Sequence, residues 1–209
     1  MMNIFSPNTL HSTLAMWYTS RATGVVSLVL MSLVVIIGLM VNRQGRLPGM
    51  PGFVVLGLHR YLSLLSITFL VVHIATAVLD SFVNISVTAS VIPFVSAYEP
   101  LWLGLGTVAF DLMIAIIITS LLRAHLGRLT WKAVHWLAYA SWPIAVVHSV
   151  YSSKDMQRGA LLGVALACIA AVLIAMVWRF ARALAETPRA RRVPELMADP
   201  DLLARVGRR

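Results

Sequence analysis

Five stretches of about 20 or more mostly apolar residues, separated by short polar breaks, leave this chain few places to fold other than a lipid bilayer. They run from about 17 to 41, 53 to 79, 101 to 122, 131 to 151 and 159 to 181. A helix rising ~1.5 Å per residue needs about 20 such residues to cross a hydrocarbon core of ~30 Å. Composition points the same way: 59% of the residues are hydrophobic and 12% charged, against about a quarter charged in an ordinary soluble domain. A water-soluble fold is set aside. The expected fold class is all-α, a polytopic membrane helical bundle with about five transmembrane helices.

The first sixteen residues hold no Lys or Arg, and the apolar run that follows is too long for the core of a cleaved signal peptide. It is expected to remain as the first span, behind an extracytoplasmic segment of residues 1–16. Positive charge orients the rest. Arg43 and Arg46 occupy the first break, Arg123, Arg128 and Lys132 surround the third, and eight arginines lie from Arg179 to Arg209. The second break, Asp80 to Pro100, has no Lys or Arg, and the fourth sets Lys154 and Arg158 against Asp155. Basic loops stay in the cytoplasm. The expectation is a multi-pass protein of the cell (inner or plasma) membrane, in contact with lipid, N-terminus outside and a basic tail, residues 182–209, inside. The net charge of +9 is thus a topology signal, and no nucleic-acid partner is expected. The lone Cys168 lies in an apolar run, can form neither a disulfide framework nor a thiolate metal site, and reads as a packing residue.

Ionisable residues are costly inside a membrane and tend to mark sites. The second span carries His59 and His73, fourteen residues apart, and the fourth carries His135 and His148, thirteen apart. At ~1.5 Å per residue these separations are about 21 and 20 Å along the axis. Both spans run from inside to outside, so His59 comes level with His135 and His73 with His148. Each opposed imidazole pair suits one six-coordinate haem iron. A zinc or copper ion would instead gather its ligands around one point. Fourteen residues are two heptads and return to one face, whereas thirteen leave a mismatch of about 100°. Pro143 lies between His135 and His148 and removes a backbone hydrogen bond, so a kink there is expected to turn both rings inward. The competing structural reading is that the four histidines only bond neighbouring helices.

With these residues in view, the chain resembles the ferric reductase-like transmembrane domain. That family is shared by eukaryotic ferric reductases, superoxide-producing NADPH oxidases and the haem-bearing membrane subunit of the bacterial methionine sulfoxide reductase system. Its signature is two histidines fourteen apart on one helix and two thirteen apart on a later, parallel one, and His59, His73, His135 and His148 match all four positions. The resemblance covers residues 17–181, and WYTSRATG (Trp17 to Gly24), IPFVSAYEPLWLGLG (Ile92 to Gly106) and VHWLAYASWP (Val134 to Pro143) look like the small actinobacterial members. It implies two haem b groups, with these histidines as the iron ligands, and electron transfer. Unlike the oxidases, the chain has about 28 residues after its last span, too few for a flavin or nicotinamide domain. LGLGT (Leu103 to Thr107) lacks the third glycine and the strand-turn-helix setting of a dinucleotide fingerprint. The donor is therefore expected to be a separate flavoprotein reductase or membrane quinol, and the acceptor extracytoplasmic.

Arg21, near the outer end of the first span, and Arg60, beside His59, are candidate partners for haem propionates, for which Arg offers a forked, always charged donor. Snorkelling to lipid head groups is the alternative for both. Arg123, His125, Arg128 and Lys132 read as topology charges. Asp111, near the middle of the third span, reads as a structural hydrogen-bonding residue. Trp17, Tyr18, Trp102, Trp131 and Trp136 fall where aromatic belts occur. The ten methionines read as packing, and His11 as incidental. The tail is expected to be solvated, with a short amphipathic pattern over Pro200 to Val206; reductase docking is its second reading.

Taken together, these residues predict the membrane haem subunit of an oxidoreductase, with no catalytic residue of its own, passing electrons from a cytoplasmic or quinol donor to an outside acceptor. The competing function is a haem-binding sensor or assembly subunit without turnover. A small transporter or scaffold using the histidines for protons or structure comes third.

Overall fold

The computed structural model describes residues 7–41, 51–80, 83 and 85–197. Arg43, Arg46 and the Pro200–Val206 segment lie outside them, as does the side chain of His11. Among the described residues there are six α-helices, two short 3₁₀ turns and no strand: α1 (Pro7–Val41), α2 (Gly52–Leu79), α3 (Pro100–Leu121), α4 (Arg128–His135), α5 (Ala138–Tyr151) and α6 (Gly159–Met197). Four of these are long and apolar enough to span a bilayer: α1 over Leu14–Met40, α2, α3, and α6 over Gly159–Arg182. The chain is a polytopic helical membrane protein.

The fourth expected span is present as two helices. α4 and α5 meet at Trp136 and Leu137, and α5 continues as α-helix through Pro143. A change in the helical pattern between His135 and His148 falls at Trp136 and Leu137, beside His135. There the N–H groups of Leu137, Tyr139 and Ala140 each donate three residues back, to Val134, Trp136 and Leu137. A 3₁₀ turn advances about 120° per residue and an α-helix about 100°. Three such residues supply roughly 60° of extra winding, which makes up part of the phase that a thirteen-residue spacing lacks.

Other boundaries also shift. α1 opens at Pro7, ten residues ahead of the expected span, because a proline in the first turn loses only an N–H that has no helical partner. α6 continues as helix to Met197, past the expected end at 181. The chain divides into two units, residues 1–172 and 173–209. The first holds the histidines. In it, α1 packs lengthwise on α2 and α3 on α5, and α1 also touches α5, whereas α2 and α5 have no extensive backbone contact. Two helix pairs thus face each other across a gap crossed by side chains. Leu28, Val35 and Leu39 on α1, Ala109 on α3 and Trp142 and Val146 on α5 are buried in this unit. Cys168 is free and buried, in line on α6 with Ala165 and Val172.

The α2–α3 connection folds back over the bundle. Thr107 Oγ1 donates to the Ala89 carbonyl at 2.8 Å, and the Phe94 ring lies directly on Gly104, where a Cβ would collide with it. Phe94 holds the left-handed conformation, φ 66°, which is strained for a non-glycine residue.

Candidate functional site

The four histidines meet in two pairs. The His59 and His135 ring centroids are 6.3 Å apart with planes at 64°, and those of His73 and His148 are 6.5 Å apart at 70°. Two rings of α2 thus oppose two rings of the α4–α5 rod in the same order, so these elements run parallel.

Three of the rings rest on glycine. A Cβ at Gly24 would stand 3.0 Å from the His73 ring, one at Gly106 would stand 2.6 Å from His148, and one at Gly38 would stand 3.4 Å from His59. Gly24 and Gly38 are fourteen apart on α1, as His59 and His73 are on α2. Two antiparallel helices of equal rise bring the members of such pairs together. The backbone then orients the rings. His73 Nδ1 lies 2.7 Å from the Ser20 carbonyl and His148 Nδ1 2.8 Å from the Trp102 carbonyl. A carbonyl only accepts, so each Nδ1 carries the proton and Nε2 keeps its lone pair. Ser20 and Trp102 each precede the cradling glycine by four residues, the same device on two helices. His59 Nδ1 is turned toward the Val34 carbonyl, again four residues before its glycine, without closing a hydrogen bond. Among the described residues His135 has neither glycine nor carbonyl behind it: the Trp131 ring stacks on it at 5.0 Å and 24°, and its Nδ1 is buried with no partner among them.

An imidazole nitrogen stands about 2.0 Å from a metal it binds and the ring centroid about 1.2 Å further, so two opposed imidazoles on one ion have centroids about 6.4 Å apart. Both pairs meet that separation. Among the described residues no group of three or more His, Cys, Asp or Glu could hold a metal ion, so each pair would need a ligand that supplies the remaining donors itself, as a porphyrin does. A cavity of about 540 Å³ borders His73 and His148 and reaches along Ser27, Ser66 and Met113 toward the middle of the bundle, within the ~300–1,000 Å³ of cofactor sites. At the His73–His148 level the residues fit haem.

At the His73–His148 end, Arg21 borders the cavity, stacks on Trp17 at 3.7 Å and pairs with Asp155. Ser149, Ser152 and Ser153 border it too. Arg60 is exposed on α2 beside His59. Asp111 is half-buried in the middle of α3. Of the expected belt aromatics, Trp102 stacks on Tyr151 at 4.6 Å, while Trp131 lies under Arg123, whose guanidinium carbon is 4.3 Å from the ring centroid. Sequence reasoning did not single out the three glycines or Trp142. The glycines left one trace, a fourteen-residue spacing that repeats that of His59 and His73. Trp142 is buried between the two levels and donates from Nε1 to Ser32 Oγ at 2.9 Å.

A parallel pair of membrane rods carrying two opposed imidazole pairs defines a class, the helical redox proteins of the membrane. The family described as ferric reductase like transmembrane component matches residues 23–146, more than half of the chain. The chain belongs to that family, whose members are generally redox proteins that bind haem. The match takes in His59, His73 and His135 and ends two residues before His148. Comparisons with curated proteins and with solved structures find no match.

Proposed function

We propose that this chain is a transmembrane electron conduit holding two haem b groups, His59 with His135 on the cytoplasmic side and His73 with His148 on the extracytoplasmic side. One observation carries the reading: two imidazole pairs, each at the separation that a shared iron requires, about 21 Å apart along one helix. Bound there, haem supplies one-electron chemistry at iron. The protein's own groups do the rest. The Ser20 and Trp102 carbonyls hold the Nδ1 protons of His73 and His148, which leaves the Nε2 lone pairs free to bind iron. Such outer hydrogen bonds fix ring orientation and raise ligand basicity. Each histidine pair would hold the group through both rings, so that an acceptor would take electrons without binding iron. Arg21, at the cavity edge beside three serines, is placed to meet propionates; Arg60 is offered for the same role at the other level.

Positive charge on Arg123, Arg128, Lys132 and the arginines after Arg179 supports the orientation with His59 and His135 inside. Electrons enter there from membrane quinol or a separate flavoprotein reductase, and an extracytoplasmic acceptor takes them. To test this, the protein is placed in oriented vesicles and supplied in turn with NADPH, quinol and a candidate flavoprotein while haem absorbance is followed. Reduction by quinol or flavoprotein, with reoxidation by an impermeant outside acceptor, is expected. NADPH alone should have no effect. Haems that reduce but never pass electrons outward would favour the sensor or assembly reading.

A further inference from the structure

The two levels differ behind their rings. At one, His73 and His148 both donate from Nδ1 to carbonyls, and Arg21 is neutralised by Asp155. At the other, His135 is backed by an aromatic plane and then by a cation: Arg123 over Trp131, Trp131 over His135. Trp131 and His135 are four apart on α4, so helical geometry stacks them, while Arg123 arrives from the turn after α3. The Trp131 Nε1 is buried with no hydrogen-bond partner among the described residues, and the ring makes its contacts through its faces.

We infer that Arg123 and Trp131 form a positioning column that makes the His59–His135 haem the more easily reduced of the two. The inference rests on the conduit reading above. Reduction adds one electron to the site, and a fixed cation nearby favours the form with the lower positive charge. At the other level the carbonyl bonds make the imidazoles stronger donors, which favours the oxidised iron. Among the described residues His135 has no such bond, and His59 reaches its carbonyl only weakly. Both effects act in one direction. An electron arriving from the cytoplasmic side then rests on the inner haem until an acceptor draws it outward, which limits loss of electrons to adventitious oxidants outside.

The test is a potentiometric titration of the haem-loaded protein in lipid nanodiscs, following two spectral components assigned with His135→Ala and His148→Ala. The component lost in His135→Ala should reduce first, with a reduced-to-oxidised ratio about tenfold that of the other at the same ambient potential. Arg123→Gln should lower that ratio several-fold and leave the other component unmoved; Arg123→Lys should restore it. Trp131→Leu should also lower it, and should change the low-spin electron paramagnetic resonance signal of that haem alone, as the His135 ring loses its backing. Equal potentials, the reverse order, or an Arg123→Gln shift that is absent or shared by both haems overturns the inference and leaves the conduit standing. A folded preparation without haem overturns both.

Discussion

The His73–His148 level and the His59–His135 level oppose the same side chains at nearly the same separation, yet the bundle holds them by different means. The first is built from backbone: a glycine under each ring and a carbonyl on each Nδ1. The second is looser on the His59 side, with a Cβ distance of 3.4 Å at Gly38, and on the His135 side it relies on the Trp131 ring. The difference follows from local geometry. α3 and α5 pack closely where His148 sits, while His135 falls at the end of the short α4, just before the 3₁₀ turn, where α3 has less to pack against. A site made of backbone is rigid and intolerant of added atoms. A site made of side chains can be tuned by exchanging them.

The largest effect expected from breaking this arrangement is loss of a haem. Replacing either His73 or His148 with Ala should remove one spectral component, and replacing His59 or His135 should remove the other, as read in reduced-minus-oxidised spectra. A common component lost in His59→Ala and His148→Ala would mean that the rods are paired wrongly. Next come the cradles, which should grade with the clearance under each ring. Gly106→Ala puts a Cβ 2.6 Å from His148, and overpacking of that kind costs about 1–3 kcal/mol, more than the ~1 kcal/mol of helix propensity that alanine returns. Gly24→Ala, at 3.0 Å, should cost less. Gly38→Ala, at 3.4 Å, is an ordinary contact and should be neutral or slightly stabilising. Thermal melts in detergent with haem absorbance as the probe should rank the three in that order; a Gly38→Ala protein less stable than Gly106→Ala would contradict the cradle account.

Smaller still is Trp142→Phe, which removes a buried hydrogen bond to Ser32 and should cost about 1 kcal/mol without shifting either haem spectrum. The smallest effect belongs to the Arg21–Asp155 pair. Its side chains are 33% and 56% exposed, and pairs of that kind contribute about 0–1 kcal/mol. Asp155→Asn should therefore barely change the melt, while Arg21→Gln should perturb only the component that His73 and His148 hold, which separates a propionate role from a purely structural one.

Much of this molecule was legible in the sequence because lipid imposes simple rules. Length and apolarity were enough to mark α1, α2, α3 and α6, and the fourteen- and thirteen-residue spacings were enough to suggest that His59 would meet His135 and His73 would meet His148, as their rings do. What stayed hidden depends on packing between helices. Glycine has no side chain to advertise a contact, so Gly24, Gly38 and Gly106 look like ordinary membrane-helix glycines until a ring is seen on them. Pro143 drew attention as the expected kink, but a proline's missing N–H can be absorbed within a helix, and the winding changed at Trp136 and Leu137 instead. Trp131 and Arg123 read as belt and topology residues because nothing in a linear sequence joins the turn after α3 to the face of α4.

The central claim is that each imidazole pair holds one haem. Pyridine haemochrome analysis of the purified, homogeneous protein tests it most directly. About two haem b per chain are expected, falling to about one in both His148→Ala and His135→Ala. A folded protein that carries no haem, or a single haem retained by both variants, would contradict the account.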